Sequence, residues 1–394
     1  MHTSQSLSLY IHIPFCQTLC TYCAFNTYAG LGTLVEPFVA ALCREIQIVG
    51  KGAAQYTVHT VYFGGGTPSL LQPDQIASIL ESCRTGFRTA QDAEITLEAN
   101  PDSLTLDRLR AFREAGINRL SLGVQSAHEP ELRLFGRRHS FAEAQGGFEL
   151  ARQAGFNDIS VDLIYGAPRQ TRASWRETLE RVLAWSPDHL SLYSLTIEPG
   201  TSLGVQVRRG RIPEPDPNQA AAMYDLACQL AARAGLDHYE ISNWARPGHE
   251  SRHNRQYWLN EPYLGLGPGA HGAAGGVRYW TVSPVQLYID KIAQGASRPF
   301  PFSPALDGYE GISRELEMAE TTILRLRLVK EGLSRAAFNE RYGCTVDNLY
   351  GDTLKQLHQL GLISMRGDRI RLKRRAYLIS NQVFWRLLPD DTRA

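Results

Sequence analysis

The feature that most constrains this chain is a rhythm. Through the first 200 residues, short β-branched or apolar runs alternate with longer helical patterns, the signature of βαβ units around a parallel sheet. The strand-like runs are Leu7 to Ile13, Val58 to Phe63, Glu94 to Glu98, Arg119 to Gly123, Asp158 to Leu163 and His189 to Leu195. Between them fall helical stretches at Glu36 to Val49, Pro73 to Cys83, Leu106 to Ala115, Phe141 to Ala154 and Ser174 to Trp185. Gly50, Gly116 and Gly155 sit where a left-handed residue ends a helix. Six successive right-handed units predict an α/β fold built as an incomplete (β/α)6 barrel of the TIM type. In such barrels the chemistry belongs to the C-terminal ends of the strands.

The chain has 394 residues, beyond the roughly 250 to 300 at which one core stops growing. A second, smaller domain is therefore expected. The proline-rich stretch RIPEPDPN closes the barrel core, giving residues 1–210 as the first unit. Residues 211–302 read as a segment that completes the barrel, and residues 303–394 as a helical, winged-helix-like domain. Its wing carries Arg366, Arg369, Arg371, Lys373, Arg374 and Arg375. With 41 Lys+Arg against 40 Asp+Glu, there is no global field drawing nucleic acid or an anionic bilayer. The wing is expected to be solvated or to dock a protein, with no nucleic-acid partner. The start, MHTSQSLSLYIHIPFC, lacks a secretory pattern, and no run approaches 18 uncharged apolar residues. A cytoplasmic protein is expected.

Three of the seven cysteines, Cys16, Cys20 and Cys23, crowd together as C-x3-C-x2-C directly after the first strand. So short a loop can place three sulfurs only around one small metal centre. Three thiolates on a cubane leave its fourth iron open to a chelating substrate, and such a centre can deliver one electron. The alternative, a structural zinc, calls for four closed ligands, usually from two C-x2-C pairs, and no second pair is present. Cys43, Cys83, Cys228 and Cys344 are scattered and expected to be inert.

The segment YIHIPFCQTLCTYCAF resembles the radical S-adenosylmethionine (SAM) superfamily, with Tyr22 in the aromatic position before the third cysteine. The resemblance implies a 4Fe-4S cluster whose open iron is chelated by the amino acid end of SAM. An electron from the cluster then splits a carbon–sulfur bond to give a deoxyadenosyl radical. The remaining strand ends fit. Gly64-Gly65-Gly66-Thr67-Pro68 lacks the lysine of a phosphate loop and would let backbone approach an ammonium. Glu98 in LEANP can accept ribose hydroxyls, and Gln125, Arg137 and Asp162 lie at the successive barrel tops. Within the superfamily the chain is most similar to the coproporphyrinogen dehydrogenase-like branch. There the positions matching Tyr10, Tyr22, Gly65, Gly66, Thr67, Glu98, Gln125, Arg137 and Asp162 contact one or two SAM molecules.

Two functions share that branch. One is the oxygen-independent coproporphyrinogen III dehydrogenase, which decarboxylates propionate side chains. The other is the HemW-type haem chaperone, which binds haem as cargo and hands it to haem-dependent proteins; on that reading this chain is expected to be a monomer or homodimer, with membrane respiratory enzymes among its recipients and peripheral membrane association. Three features favour the chaperone. Phe25 stands where the enzyme has a fourth cysteine, and the first strand begins within ten residues of Met1, where the enzyme carries a long extension over the substrate site. The third is His253-Asn254-Arg255-Gln256-Tyr257-Trp258, which matches the H-N-x-x-Y-W motif of the chaperones. His253 is the expected axial nitrogen for haem iron. The alternative is that His253 is a hydrogen-bonded loop residue and the two aromatics are core.

Overall fold

The computed structural model describes residues 5–389. All six expected strands form: β1 (Gln5–Ile13), β2 (Tyr56–Gly65), β3 (Thr89–Ala99), β4 (Arg119–Gln125), β5 (Ile159–Tyr165) and β6 (His189–Ser194). They pair in sequence order and in parallel. Their alternation explains why they stand in this arrangement. In β1, Leu7, Leu9, Ile11 and Ile13 are fully buried on one face, while Ser8, Tyr10 and His12 occupy the other. The same division separates Ile95 and Leu97 from Glu94, Thr96 and Glu98 on β3, and Val161 and Leu163 from Ser160 and Asp162 on β5.

The apolar face packs on the surrounding helices in one continuous core that includes Phe38, Leu42, Ile79, Phe112, Phe148 and Trp175. The opposite face lines the lumen, and it is polar for most of its depth. Its groups satisfy one another sideways: the Thr60 hydroxyl donates to Ser8 Oγ (2.8 Å), and Ser160 Oγ lies 2.8 Å from His189 Nδ1. A lumen filled by layers of Val, Ile and Leu would leave no room for a polar ligand. This one is built to receive one.

The parallel set does not stop at six. The short strand β9 (Tyr263–Leu266) adds beside β1 in parallel, pairing Tyr10 with Gly265. Antiparallel strands then extend both edges: β7 (Asp237–Glu240) and β8 (Asn243–Ala245) beyond β6, and β10 (His271–Ala274), β11 (Val277–Thr281) and β12 (Leu306–Gly311) beyond β9. The result is one open, twelve-stranded sheet. Gly116 and Gly155 take the left-handed positions expected of them. Gly50 instead lies inside its helix (Val35–Gly50), where a Cβ would stand 2.3 Å from Gly86 O, so it is the contact point between two helices.

The helical C-terminal domain has its own core of Leu326, Phe338, Val346, Leu354, Leu357, Ile363, Ile370 and Val383. Three helices (Arg314–Arg327, Arg335–Tyr342 and Val346–Gln359) precede a two-stranded wing, β14 (Ile363–Arg366) and β15 (Arg369–Leu372), which β13 (Leu333–Ser334) widens to three strands. Much of the basic strip is engaged in this architecture. Arg371 donates to Lys330 O, Arg374 pairs with Asp225, and Arg375 donates to Gly361 O.

Candidate functional site

A cleft of about 620 Å³ opens at the C-terminal ends of the strands. Its size is in the range of a site for one nucleoside-sized ligand. The loop after β1 delivers Cys16, Cys20 and Cys23 to its wall, all with their thiols free. The loop is anchored on both sides. Gly66 N donates to Ile13 O and Thr67 N to Phe15 O, both at 2.8 Å. A Cβ on Gly66 would meet Phe15 O at 2.6 Å, so only glycine permits that contact. On the outer side, Asn26 Nδ2 donates to Pro268 O and Ser283 O, and His12 Nε2 donates to Asn26 O. The glycine-rich Tyr263 to Gly272 segment thus clamps the cysteine loop.

The donor set fits an iron–sulfur centre. Burial and the proximity of the other sulfurs push the Cys16 and Cys23 thiols up, so a cation among them is what would hold them as thiolates. Arg137 Nη1 already lies 3.5 Å from Cys20 Sγ, and Thr67 Oγ1 lies 3.7 Å from Cys16 Sγ.

Across the cleft stand Glu98 and Asp162. Both are open to the cleft and surrounded by protein elsewhere. Glu98 accepts from Tyr62 OH (2.8 Å) and from Gly65 N (3.1 Å). Asp162 accepts from Ser121 Oγ (2.8 Å) and Ser160 Oγ (3.2 Å). Their hydrogen-bond partners are neutral. Burial pushes Glu98 up to about 7, with the nearby Asp162 charge adding to the rise, and burial raises Asp162 as well. Two poised carboxylates beside three thiols form a site for a ligand that brings hydroxyls and positive charge.

The glycine turn agrees with that chemistry. The amides of Gly65, Gly66 and Thr67 all donate within the protein, which leaves no cradle for a phosphate.

The structure gathers Tyr22, Gly65, Gly66, Thr67, Glu98, Gln125, Arg137 and Asp162 around the cleft with the cysteines. Tyr22 packs edge-on against Phe135. Gln125 adopts φ +68° at the point where β4 slips register against β5, a strained position of the kind that persists where function requires it. Arg137 also donates to Asn100 Oδ1 and Gly123 O, both at 2.7 Å. Tyr10 stands apart from the lining: it lies behind Tyr62 and donates to His12 Nδ1 (3.1 Å).

His253 is also elsewhere. It is 1% exposed, inside the lumen, with Nδ1 2.7 Å from Thr60 Oγ1 and Nε2 2.9 Å from Tyr257 OH. Both ring nitrogens are occupied, so an axial bond to haem iron is closed to it in this arrangement. Sequence reasoning passed over Tyr62, His12, Asn26, Asn100 and Tyr193, each a single polar residue whose direction depends on strand register or loop path.

Residues 10–182 match the model of the radical SAM superfamily, and residues 312–379 match the HemN C-terminal domain. The chain is 37% identical to heme chaperone HemW of Bacillus subtilis, over 97% of this chain and 99% of that protein. It is 36% identical to heme chaperone HemW of Mycobacterium tuberculosis, over 98% of this chain and 95% of that one. Among solved structures it is similar to the coproporphyrinogen III oxidase HemN of Escherichia coli, with a TM-score of 0.83 and 25% identity over 97% of this chain and 90% of that one. The three-thiol cleft and a likeness that spans both chains from end to end place this chain in the HemW family of radical SAM proteins, whose cofactors are a 4Fe-4S cluster and SAM.

Proposed function

We propose that this chain carries haem and passes it to haem-dependent proteins, with the cluster and SAM at the cleft serving assembly, regulation or release. The observation that carries the reading is the cleft mouth. Phe25, at the position of the enzyme's fourth cysteine, is 72% exposed, and Leu19 in the cysteine loop and Tyr193 on the opposite wall are 54% and 46% exposed. Phe25 and Tyr193 line the open cleft, and with Leu19 exposed in the adjoining loop they offer apolar surface to a macrocycle. They also leave the site accessible for handing cargo on.

In this reading Cys16, Cys20 and Cys23 hold the cluster. Glu98 accepts the ribose hydroxyls of SAM, Gly65, Gly66 and Thr67 receive its ammonium end, and Tyr22, Gln125, Arg137 and Asp162 complete its surroundings. When bound, the cluster supplies one low-potential electron to the sulfonium of SAM. The protein's own part is to fix the ligand's orientation and to narrow water's access. The recipients are haem proteins, membrane respiratory enzymes among them, met from the cytoplasm by a monomer or homodimer at the membrane surface. Among the described residues, no helix is long and apolar enough to cross a membrane.

The second reading, oxidative decarboxylation of coproporphyrinogen III, is favoured by the likeness to HemN. Parallel assays on anaerobically reconstituted protein separate the two. Stoichiometric haem binding by absorbance, without carbon dioxide release from coproporphyrinogen III in the presence of SAM and a reductant, supports the carrier. Turnover of coproporphyrinogen III makes the chain the enzyme.

A further inference from the structure

We infer that His253 is a positioning residue for the cleft's carboxylate: its ring, packed under Tyr62, fixes the phenol whose hydroxyl aims Glu98. The inference rests on the proposed role of Glu98 toward SAM, and it gives the His253 motif a task other than ligating haem.

The motif is carried by a two-turn helix, Arg252–Leu259. Its first turn is fastened to β3, because the buried Glu94 carboxylate accepts from Arg252 N (3.0 Å) and His253 N (2.9 Å). Ser251 caps it by accepting from Asn254 N (3.2 Å). His253 therefore enters the lumen from a fixed backbone.

Inside, its imidazole is fully specified. The Thr60 hydroxyl donates to Ser8, so it accepts from Nδ1, and Nε2 then accepts from Tyr257 OH one turn along the helix. Burial lowers its pKa to about 3, so the ring stays neutral.

The neutral ring stacks on Tyr62 with centroids 4.9 Å apart and planes 24° apart. Tyr10, paired with Tyr62 across β1 and β2, packs against it as well, at 6.3 Å and 23°. The phenol is thus held by contacts with two rings. Its hydroxyl points at Glu98 Oε1, while Gly65 N holds Oε2. Each oxygen keeps a lone pair for a ligand hydroxyl.

The rest of the motif faces the other way. Trp258 lies under the Arg327 guanidinium at 4.2 Å, and Asn260 donates to Thr321 Oγ1 (2.9 Å), both on the first helix of the C-terminal domain. One short helix links that domain to the carboxylate.

The test measures SAM affinity by equilibrium dialysis, across pH, on protein reconstituted with its cluster, with haem titrated in parallel and iron content reporting intact fold. Four variants are compared: Glu98→Gln, Tyr62→Phe, His253→Ala and His253→Phe. Tyr62→Phe keeps the ring and removes only the hydrogen bond, so it is expected to fold and to weaken SAM about tenfold. His253→Ala is expected to weaken SAM by about threefold to tenfold, and His253→Phe, which retains a ring under Tyr62, to recover most of that loss. Losing the Tyr62 hydrogen bond also moves the pH midpoint of SAM binding upward. The shift between variants reads Glu98 coupled to Asp162, because Arg137, the cleft cysteines and the amino group of SAM are common to all of them, and the phenols around Glu98, namely Tyr10, Tyr62, Tyr193 and Tyr257, are raised beyond the range.

A purely structural His253 would lower iron content and leave the affinity and pH midpoint of the remaining protein unchanged, which overturns the inference. Unchanged affinity in Tyr62→Phe overturns it too. Loss of haem binding with SAM binding intact in both His253 variants would make His253 the haem ligand instead. If Glu98→Gln itself leaves SAM binding intact, the underlying reading of the cleft has failed, and the inference falls with it.

Discussion

The two ends of the same strands treat buried charge in opposite ways. At the N-terminal ends, Arg119 reaches Asp158 at 2.6 Å and the His249 carbonyl at 3.1 Å, and Arg152 reaches Asp188 at 2.7 Å. Asp188 also accepts from Ile159 N. Asp158, Asp188 and His249 approach the geometry of a metal site, yet two guanidiniums already balance the two carboxylates. At the C-terminal ends, Glu98 and Asp162 face hydroxyls and an amide, and their proton affinities rise. One end is closed electrostatically and holds the barrel together. The other is left incomplete, and a ligand completes it.

If this contrast is right, damage at the two ends should separate into lost binding and lost stability. The largest effect is expected from Cys20→Ser, which should abolish assembly of a normal 4Fe-4S cluster while leaving the melting temperature of the cluster-free protein nearly unchanged; iron and sulfide analysis with thermal denaturation reads both. A normal cluster in that variant would sink the site. Arg119→Met, at the closed end, should do the reverse. It leaves Asp158 without its closest cation and should cost about 3 to 5 kcal/mol in urea denaturation, with SAM affinity of the folded fraction preserved.

Glu98→Gln sharpens the contrast through pH. A carboxyl raised to about 7 in the folded protein but ordinary in the unfolded chain holds its proton longer when folded. Without ligand, its contribution to stability is therefore full at pH values below the unfolded pKa and declines as pH rises from about 4.5 through about 7. The glutamine variant should lack that decline and gain about 1 to 2 kcal/mol at pH 8, because a charge is no longer held there. The glutamine oxygen can accept from Gly65 N while its amide donates to the Tyr62 hydroxyl, so both partners stay bonded. An unchanged pH profile would mean that the open end is balanced after all. The smallest effect belongs to Arg152→Ala. Its guanidinium is partly exposed, and about 1 kcal/mol is expected.

The cysteine loop and the polar strand ends were legible because their chemistry is written in consecutive residues. C-x3-C-x2-C, G-G-G-T and the acid of LEANP each announce themselves locally, and the strand rhythm says where they meet. Tyr62, Asn26 and His12 do not. Their roles come from lumen-facing alternation and from a loop pinned by residues some 250 positions away in the chain. The resemblance puts Tyr10 at the ligand, and in the structure it lies behind Tyr62, outside the cleft lining. His253 illustrates the same limit. A histidine among aromatics has the composition of a haem ligand, but only the three-dimensional neighbours show that both nitrogens are already bonded. The strand β9 escaped notice because four residues, two of them flanking a glycine, carry too little alternation to register.

That short strand has a consequence for how the molecule is made. The first strand of the chain is an interior strand of the finished sheet, and its outer neighbour is encoded near residue 263. At a synthesis rate of about 5 to 20 residues per second, the nascent protein waits on the order of tens of seconds before that neighbour emerges. Until then β1 has an open hydrogen-bonding edge, and the cysteine loop at its tip lacks its outer clamp on Pro268 and Ser283. Ribosome timing, as well as the final architecture, thus sets how long the three thiols stand unguarded to an iron–sulfur donor or to oxygen.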